Sequence, residues 1–261
     1  MMNHLKDIQG ILFDLDGVLY VGSKPIPGAV EAVKTIKNSG ISCRFITNTS
    51  TLSLNSLQQK LHQLGFDVER HEILSAPQAA LIYLRQFNNP SCYLLLAEDV
   101  KQDFYEIKQS ASQANYIIIG DIGKQWNYSL LDQVFNRLID GAELIAMHKN
   151  RFWKTETGLQ MDIGGFITAL EYASDRKSVL IGKPSPNFFK MALLDMGLKA
   201  SETAIIGDDI DSDVGGAQTI QIFGILVKTG KYRQAYTDKS TVTPDLILNS
   251  IQELPKALGI Y

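Results

Sequence analysis

Short apolar runs that stop abruptly at acidic, hydroxyl or basic residues punctuate this chain. Ile11-Leu12-Phe13 runs into Asp14-Leu15-Asp16-Gly17, residues 42–47 end at Thr47-Asn48, residues 179–181 lead to Lys183-Pro184, and residues 203–206 lead to Gly207-Asp208-Asp209. Amphipathic stretches separate the runs. Leu54, Leu57, Leu61 and Leu64 share one helical face that Gly65 terminates. Ser185 and Pro186 have the pattern of a helix start, with the helix ending at Gly197. Strands alternating with helices imply a parallel sheet covered on both faces. In such a sheet the residues beyond the carboxyl ends of the strands face the ligand crevice.

The two ends of the chain carry this pattern, with further strands expected over 222–227 and 246–248 and a helix over 211–219. Between them lies another α/β stretch, with strands expected at 93–97, 116–119 and 144–147. Its helix has a wide apolar face of Leu130, Leu131, Val134, Phe135, Leu138 and Ile139. The division expected is a core of residues 1–76 and 177–261 with residues 77–176 inserted as a second domain.

Each strand-end group has an ordinary explanation as well as a chemical one. Asp14 and Asp16 can share a cation on one loop crest, and Gly17 permits the tight turn that follows, yet Asp-x-Asp-Gly is also a common loop string. Thr47-Asn48 can hold a phosphate oxygen through its hydroxyl and backbone N–H groups, or can be turn chemistry alone. Lys183 stands before a helix N-terminus, which favours anions, or is a solvated loop lysine. Asp208, Asp209, Asp211 and Asp213 repel one another unless a cation or a lysine is near. Helix-start preference explains Asp211 or Asp213 better than Asp208 and Asp209. Carboxylate oxygens with open positions suit Mg²⁺ bound together with a substrate phosphate.

Taken together, Asp14-Leu15-Asp16-Gly17, Thr47-Asn48, Lys183 and Gly207-Asp208-Asp209 with Asp213 resemble the four motifs of the haloacid-dehalogenase-like (HAD) phosphatases. The long insert resembles their type II cap. This resemblance implies a Rossmann-like parallel-sheet core with an inserted α/β cap, and a Mg²⁺-dependent phosphatase acting on small phosphorylated substrates. It implies Asp14 as nucleophile and Asp16 as general acid and base. The metal would be held by Asp14, Asp16 and Asp208. The phosphoryl group would be held by Asp14, Leu15, Asp16, Thr47, Asn48 and Lys183, with Asp213 and Asp209 supporting them. Some members of a related subgroup carry Ser at the second acid of the first motif; this chain keeps Asp16. In the insert, His148 and Asn150 match the region where such caps contact the leaving group. Caps of this type pair in related proteins, so a homodimer through the insert is a further expectation.

Other classes fit less well. A phosphomutase would use the same Asp14 and Asp16, and a receiver-like module with a phosphorylatable aspartate leaves the insert and Lys183 without a purpose. The stretch 224–231 suggests a nucleotide phosphate loop, but its spacing is wrong and Tyr232 replaces the needed Ser or Thr. A net charge of −3 with scattered Lys and Arg lacks the basic footprint of a nucleic-acid binder. No apolar run approaches the roughly 20 residues that span a bilayer, and residues 1–10 hold no leader-like stretch, so a cytoplasmic protein without membrane association is expected. Cys43 and Cys92 are expected as buried thiols of a reducing compartment.

Overall fold

The computed structural model describes residues 4–155 and 158–260, with side chains described except at 4, 153–155 and 158–159. The chain forms two compact units. The first comprises residues 1–47, 58–74 and 183–261, and the second residues 48–57 and 75–182.

A six-stranded sheet lies at the centre of the first unit. Its order is Leu246–Leu248, Phe223–Val227, Thr203–Gly207, Gly10–Asp14, Ser42–Thr47 and Ile73–Ser75. Gly10–Asp14 pairs in parallel with Thr203–Gly207 on one side and with Ser42–Thr47 on the other. Every residue of Gly10–Asp14 and of Thr203–Gly207 is buried, as a strand covered on both faces requires. The register sets Phe13 opposite Ile206 and Asp14 opposite Ile46. Asp14, Thr47 and Asp208 therefore leave three adjacent strands at the same edge. The order reverses at Gly10–Asp14, because the strand that follows it in the chain lies on one side and Thr203–Gly207 on the other. A crevice at such a switch point is where open α/β sheets bind ligands.

The second unit holds its own parallel sheet, in the order Val179–Leu180, Glu143–Ala146, Tyr116–Ile119, Ser91–Leu95 and Lys108–Gln109. The helices Tyr128–Ile139 and Gly164–Ser174 bury Val134, Leu138, Ile167 and Leu170 against Ile117, Ile119 and Leu144. Trp126 stacks on Phe166 at 4.5 Å. Val179–Leu180, expected with the core, pairs instead with Glu143–Ala146 in this second sheet. The first unit resumes only at Lys183. A short apolar run carries no mark of which sheet it will join.

Two further expectations are modified. Residues 211–219 were expected as an α-helix, but the segment opens as a π-helix at Ile210–Gly215 and becomes α-helical only at Gly216–Gln218. Ser185 occupies the N-cap position of Pro186–Met196 without a side-chain capping bond. Cys43 and Cys92 are free and buried, as expected. Among the described residues, no helix is long and apolar enough to cross a membrane.

Glu171 fastens the second unit internally. Its Oε2 accepts from Lys149 Nζ at 2.7 Å, and its Oε1 accepts from Ser178 N and Oγ at 2.9 and 2.6 Å. Burial alone would push this carboxyl up, but Lys149 and Ser178 outweigh it and hold the group at about 2. A carboxyl depressed on folding stabilises above its unfolded value and stops doing so as pH falls through its folded value. Glu171→Gln should cost about 1–3 kcal/mol at neutral pH. Chemical denaturation of both proteins should show the difference shrinking as the pH falls from 4.5 towards about 2.

Candidate active site

Asp14 ends its strand 6% exposed, beside Lys183, Asp208 and Asp213, which are 3%, 2% and 1% exposed. Four ionisable side chains at this depth must compensate one another. Lys183 Nζ lies 2.6 Å from Asp14 Oδ1 and 2.6 Å from Asp213 Oδ1. Burial pulls the Lys183 ammonium down, but Asp14 and Asp213 outweigh it and leave its proton more tightly held than usual. One lysine does not neutralise three carboxylates. Burial, then the charge of Asp14, push Asp208 well above the usual carboxylate range and Asp213 up to about 7.

Oxygens of Asp14, Asp208 and Asp213 all lie within 4.8 Å of one another. Asp208 Oδ2 accepts from Lys231 N at 2.6 Å, while Asp208 Oδ1 is buried with no hydrogen-bond partner. An orphaned buried carboxylate oxygen, surplus negative charge and an all-oxygen donor set fit a hard divalent cation.

The segment after Thr203–Gly207 is shaped to bring Asp213 back to the strand ends. Asp209 Oδ1 accepts from Asp211 N and Ser212 N, both at 3.1 Å, and caps the turn. Asp209 N donates to Asp213 Oδ2 at 3.1 Å. The wide π-turn is anchored by buried Ile210 and Val214, packed on Leu226. Asp213 thus reaches Lys183, whereas Asp209 turns to its own loop and to Lys231, 3.9 Å away.

Residues 229–231, part of the rejected nucleotide loop and of a Thr229-Gly230-Lys231-Tyr232 string that shares the family resemblance, close this site: Lys231 N donates to Asp208 Oδ2, and Thr229 Oγ1 donates to Gly17 O at 2.5 Å. Gly17 and Gly230 both have positive φ, +92° and +58°. A Cβ on either would fall about 2 Å from Asp208 Oδ2: 1.9 Å from Gly17 and 2.0 Å from Gly230. Glycine is required at both positions twice over, by conformation and by space. The only sequence signal was a Thr-Gly-Lys string after a buried strand.

Asp16 follows Leu15, which is buried, and is itself exposed. The protein packed around Asp16 still pushes its carboxyl above the usual range, while Lys60, Lys231 and Lys183 pull it down. Thr47 is 3% exposed at the end of its own strand. Asn48 belongs to the second unit, where its Oδ1 would lie 2.4 Å from a Cβ added at Gly182. His148 is buried in that unit, with Nε2 3.3 Å from Ser50 Oγ and Nδ1 3.8 Å from Asp162 Oδ2. Asn150 is half-buried, and its carbonyl accepts from Gly164 N at 3.1 Å.

A parallel sheet with a buried carboxylate cluster at its switch point is the arrangement of an α/β enzyme core. Comparison with known proteins specifies it. Residues 11–108 match the model of the haloacid dehalogenase-like hydrolases, and residues 180–254 match that of the HAD-hydrolase-like proteins. The chain is 41% identical over 245 residues to haloacid dehalogenase-like hydrolase domain-containing protein 2 of Bos taurus, covering 94% of this chain and 93% of that protein. It is 38% identical over 256 residues to the phospholysine phosphohistidine inorganic pyrophosphate phosphatase of Homo sapiens, with 95% and 93% covered. The p-nitrophenyl phosphatase from Archaeoglobus fulgidus superposes with a TM-score of 0.91 at 29% identity, over 96% of this chain and 99% of its own. This chain belongs to the haloacid dehalogenase-like hydrolase family and is one of its phosphatases.

Gly230→Ala should strain the loop by about 1–2 kcal/mol through its positive φ alone, and by more because the added Cβ would fall 2.0 Å from Asp208 Oδ2 and 2.4 Å from Gly17 Cα. Thermal unfolding should show a loss of stability above that figure, and steady-state assays a loss of turnover at temperatures where the variant is still folded. Wild-type turnover in Gly230→Ala would show that Asp208 tolerates displacement.

Proposed function

We propose that this phosphatase is a Mg²⁺-dependent hydrolase of small phosphomonoesters that works through an aspartyl phosphate on Asp14. The observation that carries the reading is the fixed, buried Asp14–Lys183–Asp213 arrangement beside the partnerless Asp208 Oδ1.

In the first step a carboxylate oxygen of Asp14 forms a bond to phosphorus while the ester P–O bond breaks. Asp16 passes its proton to the departing oxygen, and its raised pKa suits a proton donor. In the second step Asp16 takes a proton from water, whose oxygen attacks the same phosphorus. The Asp14–phosphate bond breaks and inorganic phosphate leaves. Two easier displacements replace one difficult one.

Lys183 orients Asp14 and offers positive charge to the phosphoryl oxygens, with Thr47 and Asn48 as further donors. Asp14, Asp208 and the main-chain carbonyl of Asp16 would hold Mg²⁺, with Asp213 supporting. Bound there, the ion neutralises phosphoryl charge and steadies the donor oxygens. Most of the acceleration then comes from charges placed before the reaction begins. His148 and Asn150 are proposed to influence which leaving group is accepted.

Asp14→Asn should lower kcat on p-nitrophenyl phosphate by about 10³-fold or more while circular dichroism stays native. Near wild-type turnover would remove Asp14 as nucleophile. Chelation should abolish activity and Mg²⁺ restore it. Mg²⁺ at ten times its Kd should also stabilise wild-type protein by about 1.4 kcal/mol, and Asp208→Asn should lose that gain. Full activity in chelator, or an undiminished Mg²⁺ gain in Asp208→Asn, would contradict the metal assignment.

A further inference from the structure

The segment that follows Thr47 has an anchorage that no role assigned so far accounts for. Residues 48–57 pack with the second unit. Ser50 is 3% exposed there, and its hydroxyl serves two loops. Its Oγ accepts from Asp121 N at 3.0 Å, in the loop after Tyr116–Ile119. The same oxygen lies 3.3 Å from His148 Nε2, in the loop after Glu143–Ala146. A hydroxyl has one proton to give and two lone pairs to receive. With one lone pair taken by Asp121 N, the O–H can donate to His148, whose Nδ1 stands 3.8 Å from Asp162 Oδ2. Backbone contacts close on the same place. Met147 N donates to Ile119 O at 3.0 Å, and Met147 O accepts from Gly182 N at 2.8 Å. A Cβ at Gly182 would fall 2.4 Å from Asn48 Oδ1 and 2.5 Å from Met147 O, and one at Gly120 would fall 3.3 Å from Ser50 Cβ. Asn48 and Ser50 are thus each packed against a glycine, on either side of Thr49.

In the function proposed above, the donors to the phosphoryl group include Asn48, two residues before this anchor. We propose that Ser50 is a positioning residue: by fixing the segment to two strand-end loops of the second unit, it sets where Asn48 presents its donor. The inference rests on the reading of the site given above and adds to it a residue that touches no substrate. A serine that only satisfied a buried loop N–H would affect stability alone. A serine that places Asn48 also affects how tightly phosphate is held. Because the phosphoryl group is common to every substrate and to inorganic phosphate, that effect is the same for all of them.

The test separates phosphate affinity from turnover and from stability. Ser50→Ala should raise KM for p-nitrophenyl phosphate and for 2-hydroxyethyl phosphate by the same factor, about tenfold, with kcat nearly unchanged. Inorganic phosphate, which has no leaving group, should inhibit about tenfold less well. Ser50→Cys fills the same space with a poor acceptor and should resemble Ser50→Ala. The Cys variant carries the test if the Ala variant fails to fold. Asn48→Ala should weaken phosphate binding by itself, and adding Ser50→Ala to it should cost under about twofold more, as expected of two residues acting on one contact. Wild-type phosphate affinity in Ser50→Ala or Ser50→Cys, a loss confined to one substrate, or full additivity with Asn48→Ala would overturn the proposal.

A binding arm distinguishes this outcome from failure of the hydrolytic reading. Calorimetric titration with inorganic phosphate in Mg²⁺ buffer needs no turnover. Phosphate binding that Ser50→Ala weakens, in a wild type that hydrolyses no phosphomonoester, would sink the hydrolase reading and leave the Ser50 assignment standing. Hydrolysis by the wild type with a phosphate affinity that Ser50→Ala does not move would do the reverse.

Discussion

Everything in the first unit's functional edge depends on one ammonium group shared by two carboxylates. Lys183 is buried between Asp14 and Asp213 at 2.6 Å from each. Breaking such a pair by removing one partner leaves an uncompensated buried charge, at a cost of about 3–5 kcal/mol. The lysine also imposes geometry. It ties an oxygen of Asp14 to one of Asp213, so Asp213 must reach back to the end of Gly10–Asp14. That requirement explains the π-turn at Ile210–Gly215, which returns Asp213 to the strand ends it has just left.

The remaining negative charge is what makes the arrangement reactive instead of merely paired. Three carboxylates surround one lysine, and Asp208 keeps an oxygen without a partner. The surrounding loops prevent relaxation. Gly17 and Gly230 press on Asp208 so closely that neither tolerates a side chain, and Lys231 N pins its second oxygen. In the function proposed above, a site held in this state would take up a cation and a phosphoryl group in place of collapsing on itself. Such preorganisation is how an enzyme spends folding energy on stabilising developing charge.

The second unit shows a different use of polar groups. His148, Ser50 and Asp162 are buried together, and Glu171 ties Lys149 to Ser178. These contacts fix the loop that follows Glu143–Ala146 on the helix Gly164–Ser174. His148 is buried and belongs to this internal network of the unit.

Strand ends were the legible part of this protein. A buried run followed by Asp14, by Thr47 or by Asp208 has a fixed direction, and a parallel sheet leaves all such ends on one edge. Period and local chemistry were therefore enough to indicate the α/β class and to set Asp14 and Asp208 at the ends of buried strands. Contacts between distant segments of similar local character were not legible. Nothing local tells Val179–Leu180 to join the second sheet, Lys231 to close on Asp208 through its backbone, or Lys60 to settle over Tyr20. The sequence by itself determined which residues could bear the charge and at which end of a strand they stand. Only the tertiary structure decided which charges share a lysine and which oxygen is left without a partner, because Coulomb and desolvation energies depend on distances and burial that no local pattern encodes.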